Sequence, residues 1–187
     1  MTSGKVKGGR FEREIGKALS LWITSGEKAD CFWRSAMSGG RATVARNKGQ
    51  LLRQHGDLTG VSEEGIEFLK NLYIECKHLR EINVFGLITG KGDLISIWSY
   101  VNEEASKYSK APVFIVRQNM RPTLLFTNVT GMYLMGFQPR LTLSDGTVIQ
   151  LLDTILSKPY KPLDLAVIRS SVLPKVTTAT MSKRVRI

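Results

Sequence analysis

Apolar residues recur at helical spacing between Gly8 and Ile23, where Phe11, Ile15, Ala18, Leu19, Trp22 and Ile23 form one stripe, so the spacing predicts an opening amphipathic helix. A turn at Gly26-Glu27-Lys28 and a short strand over Cys31 to Arg34 follow. The stretch from Ser38 to Gly56 breaks the pattern: it carries Arg41, Arg46, Lys48 and Arg53 among glycines and has no acidic residue, as expected of a basic loop whose Thr43 to Leu52 portion could become helical on binding. Leu58 to Val61 and Leu72 to Lys77 read as short strands joined by an acidic stretch with Glu63, Glu64 and Glu67, and are expected to pair as a hairpin-like unit. Beyond a segment punctuated by Gly86, Gly90 and Gly92, Leu94 to Lys107 has helical spacing with Ile97, Val101 and Ala105 on one side, and Pro112 is expected to mark its end. Val113 to Arg117 reads as a buried strand, Asn119 to Pro122 as a turn and Thr123 to Asn128 as the returning strand. Asp145-Gly146 suits a type I′ turn inside a hairpin over Leu141 to Ile149, and Leu151 to Leu156 a short helix. The fold class these elements imply is α/β, a central mixed β-sheet flanked by helices.

A chain of 187 residues, 42% hydrophobic and 23% charged, is long enough for one core. The expected organisation is a single domain over residues 1–157, its core at about 4–129, followed by a C-terminal extension over 158–187 whose basic, Thr- and Ser-rich end from Lys175 reads as a flexible tail. No apolar run reaches the roughly 18 to 20 residues needed to cross a bilayer, and the polar, basic start carries no hydrophobic region of a secretion signal. Residence in the compartment of synthesis, the cytoplasm, is expected. Cys31 and Cys76 have neither zinc-ligand nor redox spacing. The net charge of +11 changes the picture most, because such an excess favours a polyanionic partner; nucleic acid leads, and an anionic membrane surface, which would require a basic amphipathic helix with a wide apolar face, is the weaker alternative.

Candidate chemistry lies around the second of the paired strands. Alternation puts Leu72, Ile74 and Cys76 on one face and Tyr73, Glu75 and Lys77 on the other, so the Glu75 carboxylate and the Lys77 ammonium share a surface. Asp57 opens the neighbouring strand, and Gly56 before it permits a close backbone approach or an unusual turn. Two carboxylates beside a lysine suit Mg²⁺, a hard cation that keeps sites open for water and substrate phosphate. Such an ion acidifies bound water and stabilises charge on a phosphate, while a neighbouring lysine orients the water or offsets developing charge. On the first helix Glu12 lies about 60° and Glu14 about 100° from the centre of the apolar stripe, which makes Glu12 the better placed to reach over the sheet edge.

These residues stand in ordered blocks. Gly8-Gly-Arg-Phe-Glu12-Arg-Glu14, Arg34-Ser-Ala-Met-Ser38-Gly-Gly40, Asp57, Ile74-Glu75-Cys76-Lys77 and Ala111-Pro-Val-Phe-Ile-Val-Arg117 together resemble the PD-(D/E)xK nucleases, above all the archaeal-type and phage Holliday-junction resolvases, over roughly residues 4 to 129. The resemblance implies a restriction-endonuclease-like core with Glu12, Asp57, Glu75 and the backbone carbonyl of Cys76 holding one or two Mg²⁺ ions, for which Mn²⁺ can substitute. It further implies that Lys77 serves the attacking water, that Ser38 contacts the scissile region, and that the enzyme works as a homodimer on branched or four-way-junction DNA. Lys7, Arg10, Arg34, Arg41, Arg46, Lys48 and Arg53 are the expected DNA contacts. The chain departs from the pattern where Gly56 stands in place of proline and where some sixteen residues separate Gly40 from Asp57.

Plainer readings exist for each residue. Asp57, Glu75 and Lys77 could be a surface salt-bridge set, Glu12 an acid favoured by the helix dipole, Ser38 part of an ordinary turn and the basic loop a solubilising charge. His55 and His78 flank the acids and are expected to be solvated, and Trp22, Trp33 and Trp98 are expected to pack in the core instead of stacking on bases. Thr89-Gly-Lys-Gly-Asp93 lacks phosphate-loop spacing. The rival functions are another PD-(D/E)xK endonuclease (nicking, repair, restriction-like or homing) and a non-catalytic nucleic-acid-binding protein.

Overall fold

The two hydrophobic periods fold into one mixed sheet with helices on both faces. The structure, a computed structural model, describes residues 4–35, 55–83, 86, 89–140 and 142–161. The expected loop helix over Thr43 to Leu52 and the basic tail from Lys175 lie outside these residues.

Helix α1 spans Gly4–Ile23, four residues longer at its start than the spacing predicts. Phe11, Ile15, Leu19 and Trp22 are buried, as the spacing predicts. Strands β1 (Phe32–Arg34) and β2 (Leu58–Gly60) pair antiparallel as a small ribbon. Helix α2 (Glu63–Leu69) comes next, followed by β3 (Leu72–Leu79), α3 (Asp93–Lys107), β4 (Ala111–Gln118), β5 (Leu124–Asn128), α4 (Val129–Leu134), β6 (Thr147–Leu151) and α5 (Leu152–Leu156). The larger sheet has the order β3-β4-β5-β6, parallel between β3 and β4 and antiparallel elsewhere. A parallel pair needs a long crossover, which α3 supplies.

The strand alternation divides the core between the two faces of the sheet. Leu72, Ile74 and Cys76 pack with Phe11, Ile15 and Leu19 of α1 and with residues of α2, α4 and α5. Tyr73, Phe114, Val116 and Phe126 pack with Leu94, Trp98, Val101 and Ala105 of α3. Two links fix the helices. Arg117, at the end of β4, donates both terminal nitrogens to Glu14 of α1 at 3.0 and 2.7 Å, with its guanidinium 4.8 Å above the Phe11 ring. Trp22 Nε1 donates to the Lys158 carbonyl at 2.7 Å, which holds the end of the described chain against α1.

Four expectations are corrected. β2 and β3 form no hairpin, because the acidic stretch between them is itself a helix, capped by Ser62 with Glu63 and Glu64 in its first turn and Phe68 and Leu69 buried. A helix between two strands carries the chain back to run parallel, and β2 joins β3 only through the parallel bridge of Gly56 to Ile74. Pro112 does not close α3; it is the second residue of β4, where its carbonyl accepts the Thr127 hydroxyl at 2.6 Å. The Asp-Gly turn is not type I′. Asp145 keeps a negative φ while Gly146 takes +84°, and Gly146 N donates to Leu143 O at 3.0 Å, so the central residues are Ser144 and Asp145, with the glycine following as a bulge. Finally, Trp22 and Trp98 are buried, but Trp33 is 65% exposed, its side chain alternating with that of the buried Phe32.

Candidate active site

The site begins with a glycine. Gly56 has φ +89°, and a Cβ there would lie 2.4 Å from the Ile74 carbonyl oxygen, so its backbone can run against the outer edge of β3 only without a side chain. That approach places the next residue. Asp57 N donates to Ile74 O, Asp57 O accepts from Ser35 N, and Asp57 Oδ2 accepts from Cys76 N, each at 2.8 Å. Three bonds from two neighbouring segments thus hold the Asp57 carboxylate at the open edge of the sheet. Cys76 directs its N–H to that edge, and in a strand the carbonyl of the same residue points the same way.

Glu75, on the α3 face of β3, is 7% exposed, as is Asp57. Lys77 follows two residues later on that face, its Nζ 2.5 Å from Glu75 Oε1. The side-by-side placement read from strand alternation is therefore present. The two acids act on each other electrostatically. Burial first, then the Glu75 charge, pushes the Asp57 carboxyl up to about 7, against the opposing pull of the Cys76 N–H and Lys77. Burial acts to lower Lys77, but the Glu75 charge and hydrogen bond outweigh it and raise the lysine above its ordinary value. It remains a cation at neutral pH. The Cys76 side chain is turned to the α1 face, its thiol raised by burial and then by Asp57, and is unreactive there.

Glu12 is buried on α1, on the opposite side of the sheet from Glu75, and accepts a hydrogen bond from Arg34 Nε. It contributes the smallest of the influences that raise Asp57. Among the described residues no three His, Cys, Asp or Glu side chains converge on one point as a ready cage. What does converge is a pair of buried carboxylates that repel each other, with a backbone carbonyl directed to the same edge. Hard oxygen donors with unbalanced negative charge fit a hard divalent cation bound through few protein ligands.

Of the other expected residues, Lys7 and Arg10 are exposed on α1, and Arg34 forms the ion pair with Glu12. Ser38, Arg41, Arg46, Lys48 and Arg53 lie outside the described residues. His78 stands on the α1 face with its ring 5.5 Å from Phe11, and His55 stacks on Tyr108 at 3.5 Å, so neither imidazole adjoins the Glu75 and Lys77 pair in the way a proton shuttle would. Lys110 and Thr59, which carry no signal in the sequence, line one recess with His55 beside the ribbon. Only the parallel return of β4 beside β3 brings Lys110 there.

Comparison with known proteins agrees with this geometry. The family model described as phage putative PDDEXK endonuclease matches residues 3–145, well over half of the chain. The protein belongs to this family, and its sheet and helices are those of a restriction-endonuclease-like core. Neither the curated proteins nor the solved structures searched gave a match.

Proposed function

We propose that the protein is a divalent-metal-dependent DNA endonuclease that cuts branched DNA, the Holliday junction foremost. The observation that carries this reading is the buried Asp57 and Glu75 pair at the edge of β3, with Lys77 Nζ 2.5 Å from Glu75. Mg²⁺, or Mn²⁺ in its place, would be held by Asp57, Glu75 and the Cys76 carbonyl, with Glu12 joining once released from Arg34; bound there, it would supply an acidified water and charge compensation on the phosphate.

The chain's own groups do the remaining work. Asp57, locked by three backbone bonds, keeps its carboxylate fixed, so little reorganisation is needed when substrate arrives. Lys77 is a raised, protonated ammonium, so it acts as a donor: it orients the attacking water and offsets the charge that develops on the phosphoryl oxygens. The net charge of +11, with Lys7, Arg10 and Arg34 from the described residues and Arg41, Arg46, Lys48 and Arg53 from the basic stretch, supports a role in drawing DNA in and setting its register. Ser38 is assigned to the scissile region. The blocks around Glu12 and Ser38 favour a four-way junction, whose symmetry calls for two active sites in a C2 homodimer.

The test is cleavage of labelled four-way junction, flap, duplex and single-stranded DNA, with Mg²⁺ and with chelator, by the native protein and Lys77→Ala. Symmetric junction nicks that require metal and are lost in the variant are expected. Faster cutting of linear duplex removes the junction assignment and leaves a nicking, repair, restriction-like or homing enzyme. Binding without cleavage under every condition leaves a nucleic-acid-binding protein.

A further inference from the structure

Beside the β1-β2 ribbon is a cavity of about 360 Å³, lined by His55, Thr59, Ile66, Lys70 and Lys110 among others. That volume is within the roughly 300–1,000 Å³ of small-ligand sites. The Thr59 hydroxyl is buried at its wall and has no hydrogen-bond partner among the described residues. Lys110 is half-buried, donates to the Leu69 carbonyl at 2.6 Å and forms no ion pair among the described residues; Lys70 stands beside it, loosely paired with Glu67 at 3.3 Å. Two ammonium groups in one recess suit an anion with several oxygens.

A tryptophan is the strand neighbour of one lining residue, Thr59. Trp33 pairs with Thr59 in the ribbon, so both side chains leave on the same face, with Cβ atoms about 5 Å apart. Trp33 is 65% exposed, the one tryptophan of the chain that is not buried. An exposed indole beside a cationic recess is an arrangement for one nucleotide, the base on the ring and the phosphate in the recess. Thr59 is two residues from Asp57, so this nucleotide would be a near neighbour of the scissile phosphate.

We propose that Trp33 with the Thr59, Lys70 and Lys110 recess forms a subsite for one unpaired nucleotide of the DNA beside the cut. In a continuous duplex both faces of each base are covered by neighbours, whereas at a branch point or a bulge a face is open to the indole. The subsite rests on the reading of the protein as a DNA endonuclease, and it supplies a physical reason for preferring branched substrates.

The test is equilibrium binding with chelator present, by fluorescence anisotropy, of a linear duplex and of the same duplex carrying one unpaired nucleotide, together with quenching of tryptophan emission. The native protein is expected to bind the bulged DNA more tightly and to show quenching. Trp33→Ala is expected to lose about tenfold to a hundredfold in affinity for the bulged DNA, the cost of one base-on-aromatic stack, with duplex affinity changed less than twofold. Trp33→Phe should recover most of the affinity without the quenching, and Lys110→Gln should weaken the bulged DNA more than the duplex. Equal loss on both substrates, or no loss, would overturn the subsite while native cleavage leaves the nuclease reading in place; a native protein that cuts no DNA would instead remove that reading.

Discussion

Replacing Asp57 by asparagine should make the metal-free protein more stable at alkaline pH while removing its chemistry. The carboxyl is 7% exposed, faces the charge of Glu75 and rises from an ordinary 3.8 to about 7. Because its folded value exceeds its unfolded value, folding takes up a proton, and the native protein loses stability as pH rises from about 4 to about 7. A difference of about three pH units sets the penalty at about 4 kcal/mol above pH 7, and at less than half of that at pH 5. Asparagine keeps the acceptor for the Cys76 N–H and turns a neutral amide toward Glu75. Thermal unfolding in chelator should therefore place Asp57→Asn above the native protein by about 10 °C at pH 8, given about 2–4 °C per kcal/mol at this size, and by much less at pH 5. Millimolar Mg²⁺ or Mn²⁺ should raise the native melting temperature and leave the variant nearly unmoved. A variant less stable than the native protein at pH 8, or a gap of the same size at both pH values, would refute the charge repulsion on which the metal assignment depends.

Two other substitutions test the supports of the site. Gly56→Ala forces a left-handed backbone onto alanine and a Cβ 2.4 Å from the Ile74 carbonyl, so it should cost more than about 2 kcal/mol and, by shifting Asp57, lower cleavage more than tenfold; a melting temperature equal to the native one would show that the edge contact is dispensable. Arg117→Ala should cost about 1 kcal/mol at pH 7, discounted because Glu14 is half exposed. The Arg117 hydrogen bond lowers the Glu14 carboxyl, so that contribution is present at neutral pH and lost as pH falls through the lowered value; denaturant midpoints for the two proteins that fail to converge in acid would contradict it.

The chemistry was legible in the sequence where it depends on local period. Alternation over Leu72 to Lys77 suffices to put Glu75 and Lys77 together, and the glycine before Asp57 announces a close backbone approach. Distant pairing was not legible. Residues 63–69 carry three glutamates against three apolar residues in a stretch too short to show a helical period, and their burial depends on Phe68 meeting Trp22 and Phe32, contacts that no local pattern encodes. The exposure of Trp33 has the same origin: its alternation with Phe32 is visible, but which of the two faces the core is decided by the fold. The ion pair of Glu12 with Arg34 joins residues 22 positions apart and gives the helix acid a partner that the dipole and stripe geometry did not suggest.

The most direct test of the central claim is the single-turnover rate of phosphodiester cleavage in Mg²⁺ by the native protein, Asp57→Asn and Glu75→Gln, each shown to be folded. Loss of at least a hundredfold in rate in both variants, with DNA affinity retained, is the predicted result. Native cleavage rates in either variant would contradict the assignment of these two carboxylates to the reacting centre.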